Sequence, residues 1–181
     1  MARLIMWNLM TLDGFVEGAN RDISWHLDVW GEELERLSID QLKSAGGLMF
    51  GRVTYQLMAN HWPSLTGEVA DFMNALPKYV FSRTLARLDW NNTKLFATDV
   101  PDTVARLKRE STKDIFLFGS ADLAAHLIPH RLIDEFRIAV NPIILGGGSP
   151  LFKPGERVKL KLLESRALSS GIVILRYAPA K

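Results

Sequence analysis

Short runs of consecutive apolar residues, each ended by glycine, proline or a polar pair, punctuate the first two thirds of the chain. Such runs read as buried strands, and the segments between them carry apolar residues at helical spacing. Arg3 to Met10 is the first run, closed by Thr11-Leu12-Asp13-Gly14. Residues 14–26 hold Gly14, Gly18, Asn20 and Asp22 and read as a loop ending in Trp25, His26 and Trp30. These aromatics would either cover a pocket or plug the edge of the core. Glu32 to Ser44 places Leu34, Leu37 and Leu42 on one face of a helix, which Gly46-Gly47 would end. Further strands are expected at Leu48 to Phe50, Tyr79 to Phe81, Lys94 to Ala97, Asp114 to Phe118 and Asp134 to Val140. Helices are expected at Arg52 to Asn60, Glu68 to Ala75, from Pro101 to about Arg109, and at Ala121 to Ile128. Asp99 and Ser120 are candidate caps for the last two. Arg157 to Arg166 and Ile172 to Tyr177 form a closing hairpin across Ala167 to Gly171. Strands alternating with helices predict an α/β fold with a mostly parallel, eight-stranded sheet, flanked by helices and finished by an antiparallel hairpin.

Ligands bind at the carboxyl ends of strands in such sheets. Three strand ends carry suitable chemistry. Leu48-Met49-Phe50 runs into Gly51-Arg52-Val53-Thr54 and a helix. A helix start offers free N–H groups and a favourable dipole to an anion, and Arg52 adds a forked cation. Phe81-Ser82-Arg83 repeats a hydroxyl and a guanidinium at a strand end, and Phe118-Gly119-Ser120 again joins strand to helix. An ordinary turn with a solvent-facing arginine is the bland reading of any one of them. All three at one sheet edge predict a dinucleotide site.

Composition narrows the classes. At 181 residues the chain is most simply one domain, 1–181, with room for a substantial core. A net charge of +2 without a dense Lys/Arg run argues against nucleic acid. No apolar run approaches the roughly 20 residues that span a bilayer, so no membrane partner is expected. The chain has no cysteine, which removes disulfides and thiolate chemistry and fits a cytoplasmic location. Its four histidines form no metal-ligand pattern; His126 and His130 are separated by Pro129, which breaks their shared helical face. No Ser/His/Asp order reads as a triad.

Gly51-Arg52-x-Thr54-Tyr55, Phe81-Ser82-Arg83, Phe118-Gly119-Ser120-Ala121-Asp122-Leu123 and the stretch from Asn141-Pro142 through Gly146-Gly147-Gly148 to Phe152 occur in this order. That order resembles dihydrofolate reductase-like proteins, in the branch similar to the C-terminal reductase domain of bifunctional riboflavin-biosynthesis deaminase/reductases. The resemblance runs from Arg3 to Tyr177 and supplies the strand order. It implies an NADPH-dependent reductase of a small heterocyclic substrate, pyrimidine- or pterin-like. Gly51, Arg52 and Thr54 would take the pyrophosphate region, and Ser82 and Arg83 the 2′-phosphate. Gly119, Ser120, Ala121, Asp122 and Leu123 would pass beneath the cofactor, where a carboxylate at Asp122 is electrostatically awkward beside a pyrophosphate unless its side chain turns away. On the substrate side the resemblance implies Asp13, from Thr11-Leu12-Asp13-Gly14, with Trp7 and Trp30 as further contacts. Asp13 or Asp28 would assist proton transfer, and His26 could do so by pKa. Folate reductases carry Trp-x-Leu-x-x-Asp; here Trp25-His26-Leu27-Asp28-Val29-Trp30 sets an indole at the acid position, which argues against folate. No deaminase domain is read in the chain. Members of this branch are often homodimers, with the apolar C-terminal hairpin as an interface. The alternative reading is a non-catalytic ligand-binding or dimeric scaffold protein that kept the fold.

Overall fold

The structure is a computed structural model that describes residues 1–155 and 157–180. Its main sheet has eight strands in the order β5-β4-β3-β6-β1-β7-β10-β9. These are β1 (Leu4–Thr11), β3 (Ala45–Gly51), β4 (Lys78–Phe81), β5 (Thr93–Phe96), β6 (Asp114–Phe118), β7 (Glu135–Asn141), β9 (Leu160–Ala167) and β10 (Val173–Pro179). The first six pair in parallel, and β10 then runs antiparallel to both β7 and β9. The expected architecture and the closing hairpin are both present.

Alternation along the strands divides the core in two, because successive side chains face opposite sides of a sheet. Ile5, Trp7, Leu48, Phe50 and Phe116 pack on one face under α1 (Glu32–Ser44), α2 (Arg52–His61) and α3 (Glu68–Ala75). Leu4, Met6, Met49, Ile115 and Leu117 pack on the other under α4 (Val100–Glu110) and α5 (Ala121–Leu127). Ile115 to Leu117 are fully or almost fully buried, as a continuous apolar strand covered on both faces requires.

Three local expectations are corrected. The segment after β1 is not all loop: β2 (Phe15–Glu17) pairs with β8 (Ser149–Pro150), and two 3-10 turns follow at Ala19–Arg21 and Ser24–Val29. Gly46 and Gly47 do not end α1 but lie within β3. A Cβ on Gly46 would stand 2.8 Å from Ser111 Oγ, and one on Gly47 2.7 Å from the Tyr79 ring, so β3 needs glycine to sit this close to its neighbours. Asp99 and Ser120 occupy the N-cap positions of α4 and α5 with φ of +50° and +59°, yet neither side chain makes a cap hydrogen bond.

Candidate functional site

A cavity of about 1370 Å³ follows the carboxyl ends of β5, β4, β3, β6 and β1. Gly51–Thr54, Phe81–Arg83 and Phe118–Leu123 all line it, so the three strand ends singled out in the sequence converge on one space. Trp7, Asn8 and Leu9 line it too. Neighbouring strand residues point to opposite faces, so the cavity passes from one side of the sheet to the other at the end of β1.

The β3 and β6 junctions are bonded to each other. Ser120 Oγ accepts the Gly51 N–H at 2.9 Å and donates to Phe118 O at 2.9 Å. The Ser120 N–H donates to Thr54 Oγ1 at 3.0 Å. Gly119 has φ +54°, and a Cβ there would come within 3.0 Å of the Thr54 methyl. Gly119 is therefore required both by its backbone conformation and by the closeness of Thr54. At α2 no side chain caps the first turn, which leaves that helix start to a ligand or to water. Ser82 Oγ accepts the N–H groups of Thr84 and Leu85 at 3.1 and 3.0 Å and fixes the turn after β4.

The charges at this end are arranged for an anion. Arg52 donates to Gln56 Oε1 at 2.9 Å, Arg83 is exposed, and neither forms an ion pair among the described residues. Asp122 is turned outward: its side chain is 92% exposed and its carboxylate lies 3.4 Å from Lys153 Nζ. Among the described residues no group of three or more histidine or acidic side chains could hold a metal ion, and no helix is long and apolar enough to cross a membrane.

This arrangement of sheet, junctions and cavity has counterparts. Residues 2–174 match the family model described as the RibD C-terminal domain. The chain belongs to the RibD C-terminal domain family. A curated relative, YyaP of Bacillus subtilis (strain 168), is 34% identical over 182 residues, covering 97% of this chain and 94% of its own. A putative riboflavin biosynthesis protein from Shewanella sp. PV-4 superposes with a TM-score of 0.82 at 20% identity, over 100% of both chains. A Thermotoga maritima diaminohydroxyphosphoribosylaminopyrimidine deaminase/5-amino-6-(5-phosphoribosylamino)uracil reductase gives a TM-score of 0.72 at 13% identity, over 99% of this chain and 57% of its own. Dihydrofolate reductase from Enterococcus faecalis, complexed with NADP(H), gives 0.68 at 10% identity, over 99% and 97%. The fold is thus dihydrofolate reductase-like.

In this RibD C-terminal chain the other end of the cavity is aromatic. Trp7, Trp25, Trp30 and Trp62, four of the five tryptophans, line it together with His26 and His61. The 3-10 turn at Ser24–Val29 sets His26 edge-on to Trp25 and Trp30, with centroids 5.7 and 6.2 Å away. Burial pushes the His26 imidazole below its ordinary pKa, which favours the neutral ring at neutral pH.

The two carboxylates expected to act here do not reach the cavity. Asp13 is exposed and accepts from Thr11 Oγ1 at 2.7 Å, Leu145 N at 3.2 Å and Gly146 N at 2.8 Å. The Thr11 hydrogen bond, with those from the 145–146 backbone, holds it below the usual carboxylate range. Thr11 to Gly14 is a turn whose acid ties down the glycine-rich bend. Asp28 is exposed on the outer side of its 3-10 turn. Trp7 and Trp30, named as substrate contacts from the sequence, both line the cavity. Several lining residues were not anticipated. Ser38 and Leu42 could have been found from their i, i+4 spacing on α1; Asn8, a polar residue inside an apolar strand, was the plainest signal missed.

Proposed function

We propose that the protein is a cytoplasmic NADPH-dependent reductase of a small heterocyclic substrate, pyrimidine- or pterin-like, acting as a homodimer. The observation that carries this reading is the convergence of Gly51–Thr54, Ser82–Arg83 and Gly119–Leu123 on one cavity that ends among indoles. The residues present fit the cofactor. The uncapped start of α2, Arg52 and the Thr54 hydroxyl suit a pyrophosphate. Arg83 beside Ser82 suits a 2′-phosphate, which distinguishes NADPH from NADH by charge. Gly119, Ser120, Ala121 and Leu123 form the floor beneath, while Asp122 faces Lys153. Gly51 N–H and Ser120 N–H are satisfied within the protein, so in this reading they fix the floor's shape.

When bound, NADPH supplies the hydride. The chain's own part is to align a flat ring between Trp7, Trp25, Trp30 and Trp62 and to keep bulk water from it. Asp13 and Asp28 have no part in this reading, because neither lines the cavity. Pairing of two copies is supported by β9, an edge strand whose eight residues are all exposed. A second reading, a ligand-binding protein that kept the fold without turnover, is favoured by one observation: an indole, Trp30, stands where folate reductases carry an acid.

Titration of the purified protein with NADPH and NADH, followed by tryptophan fluorescence, tests the proposal. NADPH should saturate and bind more tightly than NADH. Arg52→Ala should weaken both nucleotides. Arg83→Ala should weaken NADPH alone, by about tenfold or more, as expected for losing a hydrogen bond to a charged group. No binding of either nucleotide at millimolar concentration would overturn it.

A further inference from the structure

His126 and His130 are four residues apart with Pro129 between them. The sequence predicts that the proline breaks their shared face; the structure keeps the face together. Ile128, just past the end of α5, stays in the right-handed helical region at φ −56° and ψ −49°, and its N–H donates to Ala124 O at 2.9 Å. Proline's own φ of about −65° is helical too. The chain winds on until the Arg131 N–H donates to Ile128 O at 3.0 Å. Residues four apart on such a turn are neighbours. The two imidazoles accordingly meet edge-on, with ring centres 5.7 Å apart and 64° between their planes.

That spacing is close to the spacing of a chelate. A metal–nitrogen bond of about 2.0–2.1 Å sets the centre of each imidazole roughly 3.2 Å from a shared ion. Two such ligands at angles of about 90–120° then have ring centres roughly 4.6–5.6 Å apart. A small side-chain rotation closes the difference. Both histidines are exposed, and among the described residues neither imidazole takes part in a hydrogen bond, so their nitrogens face water. An edge-on aromatic contact on a solvated face would need no more than the rings; a chelate also needs the free nitrogens.

The neighbouring charges select the kind of ion. Asp122, one turn before His126, has its side chain 92% exposed and its carboxylate 3.4 Å from Lys153 Nζ. Arg131 is exposed beside His130. One acid against two bases gives no excess of negative charge, and a hard cation such as Mg²⁺ prefers oxygen ligands. Imidazole nitrogens suit zinc, nickel and copper.

We propose that His126 and His130 chelate one divalent transition-metal ion, of the zinc, nickel or copper class, at the rim of the cavity, which His126 lines. Water takes the remaining coordination positions. The site lies outside the residues assigned to the cofactor phosphates and does not depend on the reductase reading.

The test is isothermal titration calorimetry of the untagged full chain with Ni²⁺, Zn²⁺ and Mg²⁺. Ni²⁺ and Zn²⁺ should each bind at one ion per chain, and Mg²⁺ at least about tenfold more weakly. His126→Ala and His130→Ala should each weaken Ni²⁺ by about tenfold or more, because the second arm of a chelate acts at a high effective concentration. Both side chains are in water, so both variants should keep the circular dichroism of the wild type. Electron paramagnetic resonance of the Cu²⁺-loaded protein reads the ligands directly: two histidine nitrogens in the wild type and one in each variant. No saturable binding of Ni²⁺ or Zn²⁺ at millimolar concentration overturns the proposal. So does equal binding of Mg²⁺, or an affinity unchanged in either variant, which would place the ion on one histidine alone or on His26 and His61.

Discussion

Thr54 Oγ1 accepts the backbone N–H of Ser120 at 3.0 Å, across 66 residues of sequence. Ser120 answers by accepting the Gly51 N–H on its own hydroxyl, so the first turn of α2 and the turn into α5 form one rigid piece. Ser120 holds φ +59°, a conformation that costs a non-glycine residue of order 1 kcal/mol unless its surroundings fix it. Thr54→Val keeps the shape and removes the acceptor. It should destabilise the protein by about 1–3 kcal/mol in urea unfolding, since the Ser120 N–H is left without its partner. It should also weaken NADPH binding without changing the preference over NADH, because Arg83 is untouched. A shift in that preference would mean that Thr54 acts at the 2′-phosphate rather than at the pyrophosphate.

Lys78 is fully buried at the start of β4, and among the described residues no carboxylate pairs with it. Its Nζ donates to Asn74 O and Leu76 O at 2.8 and 2.9 Å, at the end of α3, and lies 4.4 Å from the centre of the Trp90 ring. Burial pushes its pKa down to about 8. Below pH 8 the folded and unfolded chains both carry the proton, and the folded state bears the whole desolvation cost. Above pH 8 the folded lysine releases its proton first, so the unfolded state binds more protons and stability rises with pH. The gain approaches roughly 3 kcal/mol by the unfolded pKa of about 10.4. Tyr79, raised by burial, acts in the opposite sense above about pH 10, which confines the test to lower pH. Urea unfolding at pH 7.5 and 9.5 should show the rise in the wild type and none of it in Lys78→Met.

Glu135 is 1% exposed and holds three arginines. Arg3, Arg137 and Arg176 reach its carboxylate at 2.9, 2.6 and 2.7 Å. Burial alone would raise its pKa; the hydrogen bonds from Arg137 and Arg176 outweigh that and hold it below the ordinary value. A depressed carboxylate contributes stability above its unfolded pKa and loses it as pH falls through the folded one. Glu135→Gln leaves three guanidiniums around a neutral amide. It should cost roughly 3–5 kcal/mol at pH 7, and the gap to the wild type should narrow below about pH 4. Denaturant unfolding at the two pH values measures both. An equal gap at both would mean that Glu135 does not titrate with folding.

The sheet was legible because its strands are apolar runs and its helices are periodic. The convergence of Gly51, Ser82 and Gly119 was legible because glycine, arginine and hydroxyl residues fall at strand ends, where local sequence decides local geometry. The aromatic end of the cavity was not. Asp13 reads as a functional acid in Thr11-Leu12-Asp13-Gly14, but its partners are Leu145 and Gly146, more than 130 residues away, and no local pattern announces them. His26 reads as an isolated loop histidine; in the 3-10 turn at Ser24–Val29 it is half-buried, edge-on to Trp25 and Trp30. Gly46 and Gly47 look like a helix stop, and the strand they belong to needs them for contacts with Ser111 and Tyr79. At Asp13 and at Gly46-Gly47 a long-range contact overrides a plausible local rule.

The far edge of the sheet makes the last prediction. β9 is exposed along its whole length, with Leu160, Leu162 and Leu163 at 40%, 50% and 48%. An edge strand of eight residues offers unpaired backbone groups, and such edges are ordinarily covered or protected by charge. Lys161, Glu164 and Arg166 supply some charge, but Glu164 is drawn to Arg176 at 2.7 Å and Arg166 lies 3.8 Å from Glu33. Both neighbours are residues of the same chain, so these two charges do little to guard the strand. Pairing of two copies through β9 would bury the leucines and satisfy the edge together. Sedimentation equilibrium should therefore give twice the chain mass for the wild type. Leu162→Lys/Leu163→Lys should give the monomer mass with unchanged circular dichroism, since both side chains are already about half in water. A monomeric wild type would sink the interface, and a variant that stays dimeric would move it to another face.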